Sequence, residues 1–442
     1  MYYVNDIFTP SSPAIYTFVD RFSLNDLLVD SIHTKGKQII IYGHTGTGKT
    51  TLLHNKLNQT YDGFVVTKCT SNMTFDQVVL NAFDELGQFV ISSKTSTLEK
   101  KKGWNISGDY NFIKSSISFD FTTKASEEIK PIVPPQLSPQ KLASFFGLSN
   151  SCWVIDDFHK LPNTEKKFLS QWMKVFMDES VNHPFIKIIA IGAVGKAKEV
   201  IELDNELNNR VAEIHVPFMS VEELKQIIIL GESKLNISIT EDVKSKIINF
   251  SSGLPSVTHQ LCLNLCFSKG LYQTAESTTS FDLNDFKNAL ASYILQNSGY
   301  LQTRYEKAIS EDQEDKIPIY YHIIRSFLLC KKHNLAITDI IKYFKDHQHP
   351  QSEPLLRYLL EQLATDKRGK ALDYEEESDT WFIPDPFFKV YCICIIDLKK
   401  TVLQAQLDLF SSESIEKSKN KIKEQQKDLV KKALNSGDYF DF

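Results

Sequence analysis

The fold of this chain is decided by one stretch, Gly43-His44-Thr45-Gly46-Thr47-Gly48-Lys49-Thr50. It fills all four fixed positions of the pattern G-x-x-x-x-G-K-[ST]. Residues 38–42 before it form an apolar run typical of a buried strand, and residues 50–57 after it have the pattern of a helix. This strand–loop–helix setting is the context that the pattern requires. A simple glycine turn before a helix is disfavoured, because all four fixed positions are present.

A loop of this kind binds phosphate. Its glycines let backbone N–H groups turn inward around phosphate oxygens, and the following helix adds its positive N-terminal end. Lys49 would neutralise the charge of the β- and γ-phosphates, and the Thr50 hydroxyl would hold Mg²⁺. We therefore expect a nucleoside triphosphate to bind here. The expected nucleotide-binding residues at this position are Gly43, His44, Thr45, Gly46, Thr47, Gly48, Lys49, Thr50 and Thr51.

A second, acidic motif completes the expected site. In Cys152-Trp153-Val154-Ile155-Asp156-Asp157, four apolar residues run into two adjacent carboxylates. A strand that is buried on both faces and polar only at its C-terminal edge has this composition. We expect Asp156 to bind Mg²⁺ and Asp157 to act in catalysis, by orienting or deprotonating the attacking water. The alternative for Asp157 is that it only caps the segment that follows.

Strands and helices alternate through this part of the chain. Residues 63–69 and 185–192 have the composition of further buried strands, and residues 75–86 and 164–179 have the pattern of helices. The alternation predicts an α/β fold built on a doubly wound parallel sheet. The carboxyl ends of the strands would then meet at one crevice that holds both motifs.

Two segments fall outside this alternation of strands and helices. Residues of about 98–135 contain two runs of alternating apolar and polar residues, which predict a hairpin insertion. It would cover the sheet or contact a neighbouring subunit or partner. Residues 397–442 form a lysine-rich tail that we expect to be helical. Ile415, Ile422 and Leu429 recur every seven residues, but polar companions argue against a self-sufficient coiled coil.

Two later segments, Asn208-Asn209-Arg210-Val211 and Ser252-Gly253-Leu254-Pro255-Ser256, carry a resemblance when taken with the two motifs. Over roughly residues 14–395 the chain resembles the AAA+ and STAND branches of P-loop ATPases. The resemblance implies that Arg210 is a catalytic arginine that reaches a neighbouring subunit's ATP. It also implies that Pro255, in a G-x-P element, lies at the nucleotide. The alternative for Arg210 is an ordinary surface salt bridge.

The resemblance also implies a role for the lead-in to the loop. In such ATPases this segment folds over the adenine, so Phe18 and Val19 would touch the base. Arg21 would pair with a phosphate or a carboxylate. Equally, these residues would only pack the N-terminal region on the sheet. The chain departs from the family pattern where a polar sensor is usual, because Gly192 is followed by alanine and valine. Ser256 stands where a second sensor arginine is usual, which favours a slow switch over a processive motor.

Residues 301–396 are expected to form a winged-helix domain. Three helical segments (319–331, 337–344 and 353–364) precede two short strand-like runs. Such domains can place their third helix in a DNA groove. Here the wing tip, residues 375–379, is mostly acidic and would repel phosphates. We therefore favour packing on the ATPase core or on a partner. The expected domains are a core over 1–216, a helical lid over 217–300, the winged helix over 301–396 and the tail over 397–442.

Composition sets outer limits on function. The chain has 442 residues, of which 42% are hydrophobic and 24% charged, with a net charge of −5. This balance is typical of a globular protein of two or three domains and argues against a generally nucleic-acid-coated one. Seven cysteines form no C-x-x-C pair, which favours thiols in a reducing compartment. The sequence shows neither a signal peptide nor an apolar run of 18 residues, so we expect a cytoplasmic protein without membrane contact.

Two functions follow from these features. The first is an ATPase that acts as a nucleotide-dependent oligomeric switch, with ATP and Mg²⁺ as cofactors and a separate effector protein as partner. Compact bacterial ATPases of this kind often belong to antiphage defence modules, a placement that rests on the resemblance alone. The second is a DNA-dependent ATPase of the replication-initiator or transposition-regulator kind. A small-molecule kinase is disfavoured, because no acceptor pocket is evident.

Overall fold

The computed structural model describes residues 1–86, 138–192, 207, 209–297, 299–310, 318–330, 332, 334–375 and 378–396. The expected hairpin insertion and the expected tail lie outside the described residues. The chain divides into two compact units. One is Ser11–Met219, and the other combines Met1–Pro10 with the chain from Ser220 onward.

The first unit is built on a parallel sheet of five strands in the order β2-β3-β4-β1-β5. The strands are β1 (Gln38–Tyr42), β2 (Gly63–Lys68), β3 (Ser151–Asp156), β4 (Ile188–Gly192) and β5 (Val211–His215). All four strand pairings are parallel. The predicted α/β fold with a parallel P-loop sheet is therefore confirmed.

Helices cover both faces of this sheet. Phe22–His33 and Lys49–Thr60 pack on one face, where Leu28 and Leu53 meet Ile39 and Ile41 in one buried cluster. Helices Phe75–Glu85, Pro139–Leu148 and Asn163–Glu179 pack on the other face, around Trp153. Because successive side chains of a strand point to opposite faces, a strand covered twice must be apolar throughout. This explains why the sequence of β1 and β3 is a run and not an alternation.

Lys187, directly before β4, is a charged residue inside this core. Its side chain is fully buried, and its Nζ donates to the Thr34 carbonyl oxygen at 2.6 Å. Burial lowers the pKa of Lys187 to about 8, against a smaller opposing effect of Cys152. The ammonium group therefore costs stability in the folded protein whenever it is charged.

Lys187→Met is expected to raise the free energy of unfolding near neutral pH by about 1–2 kcal/mol, because the apolar chain needs no desolvated charge. The lost bond to Thr34 offsets part of this gain. Between pH 8 and the ordinary lysine pKa of about 10.4, the unfolded chain holds a proton that the folded one lacks. The natural chain thus gains stability as pH rises through that window, and the advantage of the variant should shrink. Urea unfolding across this range checks the prediction, with the exposed Lys167→Met as control. A pH-independent difference would contradict it.

The second unit begins with helices Val221–Leu235, Glu241–Ser251, Pro255–Ser268 and Leu283–Gln296, with a two-stranded sheet of β6 (Ile237–Ile239) and β7 (Thr279–Phe281). The N-terminal residues belong here. The Thr9 N–H donates to His259 Nδ1 at 3.0 Å, and the Phe8 ring fills the space above Gly231. Burial lowers the pKa of His259 to about 4, so the ring is a neutral acceptor. The division at residues 10 and 219 thus differs from the expected core of 1–216 at its N-terminus.

The unit continues with helices Tyr300–Ile309, Ile319–Leu329, Ile337–Asp346 and Glu353–Leu363. A three-stranded antiparallel sheet follows the order β8-β10-β9, from β8 (Leu335–Ala336), β9 (Asp373–Glu375) and β10 (Thr380–Phe382). The three expected helical segments are present, helix Tyr300–Ile309 and strand β8 were not predicted, and the winged-helix assignment stays a prediction. Within the described ranges, no helix has the length and apolarity needed to span a membrane.

Candidate functional site

The phosphate loop, residues 43–48, joins the end of β1 to helix Lys49–Thr60. Gly46 and Gly48 have φ angles of 83° and 91°, a region that side-chain-bearing residues rarely adopt. Gly48 caps the helix, so Thr50 and Thr51 lie in its first turn. Thr45 is exposed, whereas Thr47 is buried. The predicted loop residues therefore come together around one helix N-terminus, the geometry that favours phosphate.

Gly43 is required by close packing. A Cβ atom at Gly43 would collide with the backbone carbonyl oxygen of Val216 and lie 3.3 Å from Thr47 Oγ1. The Val216 N–H in turn donates to the Tyr42 carbonyl oxygen at 2.8 Å. The phosphate loop thus starts in direct contact with the segment that follows β5, with no room for a side chain.

Gly43→Ala is expected to abolish nucleotide binding, because either the loop or the Val216 backbone must move to admit the methyl group. Titration calorimetry with Mg-ATP checks this. Gly63→Ala is the matched control, since a Cβ there would meet only Ser151 Oγ at 3.8 Å. Unchanged affinity in Gly43→Ala would show that the close packing does not shape the loop.

Lys49 lies over the loop that it is expected to serve. Its Nζ donates to the carbonyl oxygens of Gly43 and His44, each at 2.8 Å. Burial lowers the pKa of Lys49, while Asp156 and Asp157 act in the opposite direction. The Thr47 hydroxyl also donates to the His44 oxygen, at 2.9 Å. The lysine is thus held at the loop, near both carboxylates.

Asp156 ends β3 at the same edge of the sheet. Its Cα pairs in register with Lys68 of β2 and Ile191 of β4. Burial raises the pKa of Asp156, and the adjacent Asp157 raises it further. A half-buried carboxylate beside a second one is under-compensated, and a divalent cation would relieve this. Carboxylate and hydroxyl oxygens are ligands that Mg²⁺ prefers, so Asp156 and Thr50 fit the predicted metal role.

Asp157 turns the chain sharply after β3. It has φ 59° and ψ 33° and begins a short 3₁₀ segment, Phe158–Lys160. Its Oδ2 lies 2.6 Å from Lys160 Nζ, and its side chain is 42% exposed. Such an exposed pair contributes little to stability, which leaves the carboxylate available for other chemistry. The buried Phe158 ring occupies the space beside Gly192, where a Cβ would clash, and fixes this turn. The catalytic role of Asp157 stays a prediction.

Arg21 contacts backbone carbonyls in this structure. Its guanidinium donates to the carbonyl oxygens of Pro217 and Phe218, at 3.2 Å each. The Phe218 ring stacks on the His44 ring of the phosphate loop, with centroids 4.8 Å apart and planes at 16°. Ala14 N–H reaches Thr51 Oγ1 at 3.4 Å. The lead-in therefore packs beside the loop, and the expected phosphate contact of Arg21 stays a prediction. Sequence reasoning missed Phe218, which no local motif marks.

Arg210 lies at the amino-terminal ends of the strands, whereas the phosphate loop lies at their carboxyl ends. Gln38 pairs with Val211 and Tyr42 pairs with His215, so Arg210 precedes β5 at the edge opposite the phosphate loop. Val211 and His215, the first and last residues of β5, are four residue steps apart, a distance of about 13 Å. Arg210 is exposed, and its backbone N–H donates to Leu207 O at 2.8 Å. Arg210 thus stands apart from the phosphate loop of its own chain, and its expected reach into a neighbour stays a prediction.

Pro255 belongs to the second unit. It is the buried first residue of helix Pro255–Ser268, where its fixed φ suits the first helical turn. Gly253 before it has φ 84°. The nucleotide contact predicted for Pro255 stays a prediction.

This chain matches one protein-family model and is similar in fold to known structures. A family model described as an AAA domain matches residues 32–196. No curated protein matches the chain. A Walker-type ATPase of Pyrococcus abyssi is 17% identical with a TM-score of 0.50, covering 85% of this chain and 96% of that one. The ORC2 protein of Aeropyrum pernix is 11% identical with a TM-score of 0.46, covering 91% and 98%. The RuvB Holliday junction branch migration motor of Thermotoga maritima is 13% identical with a TM-score of 0.37, covering 83% and 92%.

The parallel sheet, the glycine loop with Lys49 and the acidic end of β3 define a P-loop nucleotide-binding domain. Residues 32–196 of this domain match the family model described as an AAA domain.

Proposed function

We propose that the chain binds and hydrolyses ATP with Mg²⁺ and works as a nucleotide-dependent oligomeric switch that regulates a separate effector. The observation that carries this proposal is the separation of Arg210 from the phosphate loop and the two carboxylates of its own chain. The phosphate loop and both carboxylates share one edge of the sheet, whereas Arg210 stands exposed at the other. A catalytic arginine at that place would serve only the site of another subunit, so hydrolysis would require assembly.

Each residue has a defined task in this proposal. Backbone N–H groups of the loop and the Lys49 ammonium would hold the triphosphate and neutralise its charge. Thr50 and Asp156 would hold Mg²⁺, which supplies charge stabilisation at the phosphate oxygens. Asp157 would orient the attacking water and accept its proton. An aspartate is one methylene shorter than the glutamate usual in relatives, which supports a slow turnover suited to a switch.

Binding and hydrolysis can be separated by two substitutions. Lys49→Ala is expected to lose ATP binding, because the triphosphate loses its main counter-charge. Asp157→Asn is expected to keep binding and to lose turnover, since the amide cannot accept a proton. Asparagine also tolerates the positive φ of this position, so the turn should survive. Calorimetry and phosphate release measure the two effects, with the exposed Lys167→Ala as control. Normal turnover in Asp157→Asn would remove this residue from catalysis.

Arg210→Ala is expected to keep ATP affinity while turnover falls by about 10³-fold or more, the usual worth of an arginine supplied in trans. Mixing is the sharper test. Arg210→Ala contributes an intact phosphate site, and Asp157→Asn, which still binds ATP, contributes an intact arginine, so the mixture should recover activity that neither variant has alone. Two inactive variants that stay inactive when mixed, or an Arg210→Ala protein with normal turnover, would refute the trans arginine.

The switch itself is tested by native mass in Mg-ATP and in Mg-ADP, with Asp157→Asn holding the ATP state. An assembly that forms only with ATP is the expected result, whereas the same mass in both nucleotides would contradict the switch. The separate effector and a place in antiphage defence enter the proposal from the resemblance to compact bacterial ATPases.

DNA contact is not part of the proposal. The third helix of the C-terminal region, Glu353–Leu363, carries one arginine, Arg357. Its Nε lies 2.9 Å from Glu353 Oε1, and its Nη1 lies 3.5 Å from Asp379 Oδ1. The two carboxylates beside this arginine add negative charge, which repels a phosphate backbone.

A further inference from the structure

Side chains from the phosphate loop and from its lead-in both contact the last residues of this unit. Arg21 donates to the carbonyl oxygens of Pro217 and Phe218, and the Phe218 ring stacks on His44. We call Arg21, His44 and Phe218 the clasp, and residues 216–219 the exit segment. The exit segment follows β5 and ends at Met219, the last residue of this unit.

We propose that the clasp is the device by which nucleotide bound at the phosphate loop sets the conformation of the exit segment, with Phe218 as its positioning residue. The inference deepens the proposed function and rests on it, because it names the contact through which nucleotide binding at the same site changes the rest of the protein.

The first link of this device is the carbonyl oxygen of His44. It accepts from Lys49 Nζ at 2.8 Å and from the Thr47 hydroxyl at 2.9 Å. Lysine has only three N–H donors, and two of them point at the loop carbonyls of Gly43 and His44. Phosphate oxygens compete for these donors, so triphosphate binding changes the hold on the His44 backbone. His44 is thus the loop residue whose position responds to the ligand.

The second link is the ring contact. The His44 and Phe218 planes are nearly parallel, at 16°, and their centroids are 4.8 Å apart. Aromatic pairs favour such a stacked arrangement, so a shift of the His44 ring favours a matching shift of the Phe218 ring. The neighbouring contact of Gly43 with the Val216 carbonyl leaves no slack, because even a methyl group does not fit there.

The third link fixes the far side of the exit segment. Arg21 comes from the lead-in and binds two consecutive carbonyl oxygens, of Pro217 and Phe218. Pro217 has no N–H and a restricted φ, which makes the segment stiff. A stiff segment held at the loop, at Arg21 and at β5 cannot absorb a movement of Phe218 locally. It must pass that movement on to Met219 and the chain beyond.

The test is amide hydrogen exchange of the full-length protein over residues 214–220, without nucleotide and with a non-hydrolysable ATP analogue plus Mg²⁺. Binding of the analogue is measured in parallel by calorimetry. In the natural chain, the analogue is expected to change exchange at Val216, Phe218 and Met219. Phe218→Leu removes the ring and keeps an apolar side chain, so this change should be lost although the analogue still binds. Phe218→Tyr keeps the ring and should restore it.

Phe185→Leu is the matched control. Phe185 also contacts a histidine ring, His33, with centroids 5.9 Å apart, but it precedes β4 at the edge of the sheet away from the loop. This variant should keep the full nucleotide-dependent change. A Phe218→Leu protein that binds the analogue and keeps the full change would overturn the inference. An analogue that fails to bind the natural chain would sink the proposed function, which the calorimetry reveals separately.

A second measurement covers the case in which Phe218→Leu does not fold. Phe218→Trp keeps an aromatic ring against His44 and adds a fluorophore to a chain with four other tryptophans. After subtraction of the natural chain, analogue binding should shift the emission of this residue, because the stacking changes. Binding without any shift would overturn the inference.

Discussion

Parallel pairing of β1 with β4 and β5 is the constraint on which the first unit and its candidate site depend. It brings the end of β1, the end of β3 and the exit segment to one edge of the sheet. The phosphate loop can then lie against the Val216 backbone, and Asp156 can face the loop lysine. The same pairing sends the start of β5, with Arg210, to the opposite edge. The same strand register therefore assembles the site and keeps Arg210 of the same chain away from it.

Charge at the site is unbalanced in a way that suits a metal-bound triphosphate. Burial disfavours charge on Lys49 and on Asp156 alike, as the directions of their pKa shifts indicate. The lysine is stabilised by loop carbonyls, whereas Asp156 has a second carboxylate beside it. A triphosphate would satisfy the lysine and Mg²⁺ would satisfy the aspartate. The site therefore fits the two ligands together better than either alone.

Local patterns were enough to predict the sheet and most of the candidate site. The apolar runs of β1 and β3 are visible in sequence because strands covered on both faces must be apolar at every position. The loop and the two aspartates follow directly on those runs, so their meeting at one edge could be expected. The place of residues 1–10 could not, because it depends on Phe8 fitting over Gly231 and on Thr9 bonding His259, across more than two hundred residues.

The sequence by itself determined the phosphate loop, because its glycines, lysine and threonine act through backbone geometry and charge within eight consecutive residues. It also determined the acidic strand end, for the same reason. Only the tertiary structure decided that Arg21 binds the carbonyls of Pro217 and Phe218, and that Phe218 stacks on His44. These contacts join residues that are 174 to 197 positions apart. Ring stacking and hydrogen bonds to carbonyl oxygens produce no periodic pattern in a sequence. They can therefore be identified only in the folded structure.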